Sequence, residues 1–271
     1  MSRGLGDVYK RQIICICSQK GGVAKTTSTI EVASILKLKG NKVLVIDLDQ
    51  QCSLSKNIGA SLDNKTIYNV LRAECEIKEA IQHLELFDCI PGSESLSRAD
   101  KEFIEADDVF ALADIFGYIK DDYDYILIDN GPSRNTLLTM SYIASDYVII
   151  PTEADESSLD SLVTTERDIN KLVNGRHHDS HAIIIGYILT RAEKATVLHQ
   201  LAIENLKAEA KKNPVKPFVL TVRKSIKASE VKTFHTSMAA MYHNLPVSMD
   251  YQLITEQMIK IMDKIEKKRK K

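Results

Sequence analysis

The chain has 271 residues, 44% of them apolar and 27% charged, and its 36 Lys and Arg nearly cancel 37 Asp and Glu to leave a formal net charge of -1. So close a balance excludes a global field as the source of affinity for nucleic acid or anionic lipid, and any such contact has to be a local patch. The length is enough for one large α/β core, and no apolar run approaches the ~18 residues of a membrane-spanning helix.

The cysteines, Cys15, Cys17, Cys52, Cys75 and Cys89, lack the C-x-x-C spacing of a metal site. Their odd number and the absence of a signal peptide fit a reducing cytoplasm. Residues 1–12 show no periodicity and read as a flexible or non-native extension. The run Ile13-Ile14-Cys15-Ile16-Cys17 then has the character of a buried strand, with Cys15 and Cys17 on one face. It feeds K-G-G-V-A-K-T-T over 20–27, after which Ile30, Ala33, Ile35, Leu36 and Leu38 recur at helical spacing. A strand, a glycine turn and a Lys-Thr pair opening a helix form a phosphate-binding loop. Glycines let backbone N–H groups turn inward, and the helix N-terminus adds positive potential at the same point. Lys25 can reach the β- and γ-phosphates, and the Thr26 hydroxyl can ligate Mg²⁺. Ala24 departs from the usual G-x-x-x-x-G-K-[ST] formula, which has glycine there.

Gly40-Asn41 is placed to end the first helix. The apolar run 43–46 leads into Asp47-Leu48-Asp49, and Tyr125-Ile126-Leu127-Ile128 leads into Asp129. Carboxylates just past parallel strands lie at the sheet edge that also carries a phosphate loop. Asp47 and Asp49, two apart on extended backbone, point the same way. Further apolar runs at 86–90, 147–150, 182–189 and 218–220 alternate with helical composition at 101–120, 136–144, 157–173 and 194–211. The alternation predicts a single α/β domain over 13–250, a doubly wound, mostly parallel sheet flanked by helices. Arg223, Lys224, Lys227 and Lys232 form a basic run, with Ser229-Glu230 reading as a helix start. Residues 251–271 read as an amphipathic helix of the same domain, with a docked apolar face and a solvated K-K-R-K-K tail.

The loop pattern K-G-G-x-x-K-T resembles the deviant Walker A of the ParA/MinD group of P-loop ATPases. The resemblance continues in D-L-D-Q-Q from Asp47, in D-N-G-P-S from Asp129, and in V-I-I-P from Val148 with Glu153 and Ser157-Ser158-Leu159. It implies that Lys20, Gly21, Gly22, Val23, Ala24, Lys25, Thr26 and Thr27 surround ATP, and that Arg191 lies near the adenine. It implies Mg²⁺ held by Thr26, Asp47 and Asp129, and a catalytic set of Lys20, Lys25 and Asp49. In that set Lys20 reaches the partner subunit's nucleotide and Asp49 places the attacking water. Q-Q-C-S-L-S-K-N-I-G after Asp49, and Ile90-Pro91-Gly92-Ser93 with Leu96, are similar to ParA rather than MinD.

The resemblance therefore implies a slow Mg-dependent ATPase that forms a homodimer with ATP and coats DNA without sequence preference through Arg223, Lys224, Lys227 and Lys232. Its task would be partition of a plasmid or chromosome, with hydrolysis stimulated by a ParB-like protein. The expected location is the cytoplasm, at the nucleoid, with no membrane partner. Two alternatives stay open: a MinD-like positioning ATPase that uses 251–271 on a membrane, and a ParA-like ATPase that positions another cargo.

Overall fold

The computed structural model describes residues 11–119, 121–193 and 196–269. Eight strands form one sheet: β1 (Gln12–Ile16), β2 (Val43–Leu48), β3 (Gln82–His83), β4 (Asp88–Ile90), β5 (Tyr125–Asn130), β6 (Tyr147–Thr152), β7 (Ile183–Ala192) and β8 (Phe218–Arg223). Their order is β3-β4-β2-β5-β1-β6-β7-β8, parallel throughout except for the short antiparallel β3–β4 edge. The doubly wound parallel sheet predicted from the alternation is therefore present, and its central strands are buried on both faces, as their unbroken apolar runs require.

Eleven helices are described: α1 (Lys25–Leu38), α2 (Ser53–Asn57), α3 (Ile67–Leu71), α4 (Ala99–Glu102), α5 (Ala111–Gly117), α6 (Thr136–Ala144), α7 (Glu156–Asn174), α8 (Val197–Lys212), α9 (Lys227–Thr233), α10 (Met238–Met241) and α11 (Pro246–Arg269). Side-chain alternation sorts them onto two layers. Ile14 and Ile16 face α1, α10 and α11. Ile13 and Cys15 face the other way, where α3, α5 and α6 cover one half of the sheet and α6, α7 and α8 the other. Cys15 and Cys17 share that second face, both fully buried.

Two expected elements differ. Residues 101–120 do not make one helix. They break into α4, a 3₁₀ turn at Ala106–Phe110, and α5. At the break the Glu105 N–H donates to the Asp108 carboxylate at 2.9 Å, the kind of local side-chain bond that competes with helix propagation. Lys120 and residues 194–195 lie outside the described residues. The helix expected to start at Ser229 starts at Lys227. The short helices α2, α3 and α10 carry too few turns to show a periodicity.

The C-terminal helix begins with Pro246, which is pre-set for a first helical position. It buries Tyr251, Ile254, Met258 and Met262 in the core shared with α1. Polar contacts tie the same region to α1. Glu31, 1% exposed, accepts the N–H groups of Met238 (2.7 Å) and Ala239 (2.9 Å) at the start of α10. Ser34 and Ser237 hydroxyls lie 2.7 Å apart.

Candidate nucleotide-binding site

The phosphate loop runs between the end of β1 and Lys25, the first residue of α1. Gly22 has φ 80, a conformation open to glycine, and Ala24 has φ 62 and ψ 31. Ala24 thus adopts the left-handed conformation that the usual glycine takes without strain, at a cost of about 1–2 kcal/mol. It gives α1 no side-chain cap. The first N–H groups of α1 are accordingly left for an anion to satisfy.

Lys25 is buried, and its ammonium donates to the Lys20 carbonyl oxygen at 2.9 Å. Burial lowers its pKa, and the Asp129 charge opposes that shift. The Thr26 hydroxyl donates to Asp129 Oδ2 at 2.7 Å and the Thr29 hydroxyl to Oδ1 at 3.2 Å. A hydroxyl and a carboxylate side by side, next to a phosphate cradle, are the oxygen donors Mg²⁺ takes beside phosphates and water. The donor set therefore fits that ion.

Asp47 and Asp129 are paired residues on the adjacent strands β2 and β5, inside the strands rather than beyond them. Both are fully buried, and burial raises both carboxyls above the usual range. For Asp129 the Asp47 charge is the next cause. Asp47 is occupied by the protein itself. Its Oδ2 accepts from the Ser55 N–H (2.9 Å) and hydroxyl (2.7 Å), and its Oδ1 from the Asp49 N–H (3.1 Å). The Ser55 hydroxyl in turn accepts from the Gly92 N–H at 3.0 Å. Asp47 thus anchors α2 and the backbone of Asp49, which sequence reasoning did not anticipate. Asp49 lies one residue past β2, half-buried, its Oδ1 accepting from the Gln51 N–H at 3.0 Å. The structure gathers Lys25, Thr26, Asp47, Asp49 and Asp129 at the carboxyl edge of β1, β2 and β5.

Lys20 is held on its own chain, ion-paired with Asp155 and donating to the Ser158 hydroxyl at 3.0 Å. Arg191, at φ 50, reaches Glu153 at 2.9 Å. Its neighbour Thr190, buried and missed in the sequence, has its hydroxyl 3.2 Å from the Val23 carbonyl and 3.0 Å from that of Thr152. A buried Thr after an apolar strand carries no signal of that contact.

The basic run is largely neutralised in place. Arg223 makes two bonds of 2.7 Å to the Asp250 carboxylate. Lys227 pairs with Glu230 at 2.5 Å and lies 5.0 Å over the Tyr242 ring. Lys224 is 3.4 Å from Glu193. Lys232 is exposed and has no ion pair among the described residues.

An AAA-domain family model matches residues 11–179. The chromosome partitioning protein ParA of Myxococcus xanthus is 31% identical over 229 residues, 82% of this chain and 79% of that protein. The chain belongs to the ParA/MinD-type partition ATPases. A Borrelia burgdorferi B31 protein assigned to plasmid partition, solved bound to AMPPNP, is 30% identical to this ParA-type chain. The match covers 93% of this chain and 99% of that one with a TM-score of 0.79. Apo McdA of Cyanothece reaches a TM-score of 0.83 over 92% of this chain and 99% of its own at 20% identity, a likeness of fold alone. Family membership makes the chain a P-loop NTPase.

Proposed function

We propose that this ParA-type protein is a slow, Mg-dependent ATPase of the cytoplasm and nucleoid. In this reading it dimerises on ATP, coats DNA without sequence preference and partitions a plasmid or chromosome, with a ParB-like partner accelerating hydrolysis. The observation that carries the reading is the contact between Thr26 and Asp129 at the uncapped start of α1, with Lys25 and Asp49 beside it. In this mechanism Gly21, Gly22, Val23, Ala24 and Thr27 line the phosphates with backbone and hydroxyl donors, while Lys25 supplies a positive charge. Thr26 and Asp129 would hold Mg²⁺, and Asp47 keeps Asp49 in place. Bound Mg²⁺ would neutralise charge developing on the transferred phosphoryl group. Asp49 accepts a hydrogen bond from the attacking water and orients it.

Lys20 is the residue through which the dimer would seal, and Asp155 competes for it. Asp155→Ala should therefore raise the ATP-dependent dimer fraction severalfold in analytical ultracentrifugation, and Lys20→Ala should abolish it. Equal dimer fractions in both variants would overturn the assignment of Lys20.

Two readings compete. The membrane alternative loses support because α11 buries its apolar stripe, Ile254, Met258 and Met262, in the core, leaving Met249 and Leu253 as its exposed large apolar residues. Positioning of a cargo other than DNA remains the second reading, and a pulled-down partner separates it from partition. The direct test is binding to random-sequence duplex with ATP, ADP or no nucleotide at two salt concentrations. The expected result is binding with ATP alone, lost as salt rises. Lys232→Ala should weaken binding equally on all sequences and reduce the log–log salt slope by about 1. Arg223→Ala should act through loss of its Asp250 pair, lowering thermal stability as well as affinity. Salt-independent or nucleotide-independent binding would overturn the DNA part of the proposal.

A further inference from the structure

Two loops enclose the carboxylates, 17–24 and 131–135, and they abut. A Cβ on Gly21 would lie 3.9 Å from the Pro132 Cβ, and one on Gly131 would lie 3.2 Å from Asp49 Oδ1. Segment 131–135 therefore lies against both Asp49 and the phosphate loop. The far end of this segment is fixed by Asn135, which caps α6 by accepting from the Leu138 N–H at 3.0 Å. What fixes the rest is a side chain from a third element. Asp168 on α7, 8% exposed, accepts from Gln19 Nε2 at 2.8 Å through one oxygen and from Arg134 Nη2 at 2.7 Å through the other. Gln19 directly precedes Lys20, and Arg134 lies two residues past Pro132.

We propose that Asp168 is a positioning residue for ATP hydrolysis, a strut that locks the start of the phosphate loop and the loop after β5 into one register and thereby holds Asp49 over the phosphates. The proposal rests on the reading of Asp49 as the water-orienting carboxylate. A carboxylate suits the task because both oxygens accept, so one short side chain can receive a donor from each loop. The bridge is not core packing. The Arg134 side chain is 62% exposed, and ion pairs so open to water add little to fold stability. Its value lies in geometry, since small misplacements of a reacting group slow a reaction by up to about 10²-fold. The conservative Asp168→Asn variant retains both contacts. Its oxygen accepts from Arg134, and its NH₂ donates to the Gln19 carbonyl oxygen once that amide flips.

The test is steady-state hydrolysis together with equilibrium binding of a fluorescent ATP analogue, for Asp168→Ala, Asp168→Asn, Arg134→Ala, the Asp168→Ala/Arg134→Ala pair and Asp49→Ala. Asp168→Ala should bind nucleotide within about threefold of the unsubstituted protein and lose about tenfold or more in kcat. Asp168→Asn should recover most of that loss. Arg134→Ala should slow hydrolysis alone and add nothing in the Asp168→Ala background, the signature of two residues acting through one bridge. An unchanged kcat in Asp168→Ala, or a kcat loss matched by an equal loss of binding, would overturn the proposal while leaving Asp49 in its role. An Asp49→Ala protein that hydrolyses normally would remove that role and overturn both.

Discussion

Asp49→Ala is expected to leave nucleotide affinity within about threefold of the unsubstituted protein while lowering hydrolysis by at least ~10²-fold. Among the described carboxylates at this sheet edge, Asp49 is the one with an oxygen that accepts no hydrogen bond from the described residues. Asp129 is bonded to two threonine hydroxyls, and Asp47 to three donors. Asp49 accepts one N–H bond, through Oδ1, and is half-buried at a strand end, where it can face both water and phosphate. The parallel substitution two residues earlier should fail differently. Asp47→Ala would strand the N–H and hydroxyl of Ser55 in the core, at about 1–3 kcal/mol for each unsatisfied group, and so should lower Tm before any effect on chemistry can be read. Lys25→Ala should lose nucleotide binding altogether, because Lys25 is the buried loop ammonium, whereas Lys20 is already paired with Asp155. Calorimetric binding, hydrolysis and thermal melts on the three variants separate these roles. An Asp49→Ala protein that hydrolyses at the ordinary rate, or a Lys25→Ala protein that binds ATP normally, would remove the corresponding residue from the mechanism.

The parts of this molecule written in local pattern were legible in its sequence. β2 and β5 announce themselves because both faces are covered, so their apolar runs are unbroken, and their terminal acids then fall beside the loop by topology alone. The phosphate loop is legible because its chemistry lies within eight consecutive residues. What sequence reading missed is long-range pairing. Lys20 and Asp155 are 135 positions apart, and Gln19 and Asp168 are 149 apart. Each is an ordinary polar residue until the fold juxtaposes them. The basic run was visible as charge, but Asp250, which occupies Arg223, sits on another element 27 positions away. The short edge strand β3 and the helices α2, α3 and α10 are too brief for a period to show. The 101–120 segment has helical composition throughout, and at its break the Glu105 N–H bonds to the Asp108 side chain rather than continuing the helix.

The nucleotide-free protein should lose stability as pH rises from about 5 to neutrality, the reverse of the usual acid denaturation. Burial pushes the Glu31 carboxyl from its ordinary 4.5 up to about 7, against two N–H donors that favour its charged form. Asp47 and Asp129 are raised for the same first reason, burial. A carboxyl whose folded pKa is raised binds its proton more tightly in the folded state. Below the unfolded value both states are protonated and nothing is lost. Above it the unfolded chain ionises first, so stability falls until the folded pKa is passed. For Glu31 alone the window runs from about 4.5 to about 7. Each tenfold difference in proton affinity between the two states is worth about 1.4 kcal/mol, so the loss across that window approaches ~3 kcal/mol. Glu31→Gln keeps an acceptor at the start of α10 without the charge, and should flatten that part of the Tm–pH curve. Asp129 supplies a second, separable signature. Burial raises the Asp129 carboxyl, and Mg-nucleotide brings a cation that favours its charged form, so binding should release protons and affinity should strengthen as pH rises. Titration calorimetry in buffers of different ionisation enthalpy measures that release directly. Asp129→Asn should eliminate it while leaving the Glu31 contribution to the melting curve intact. A Tm that climbs from pH 5 to 7 in the nucleotide-free protein would show that hydrogen bonding to the buried carboxylates outweighs their burial.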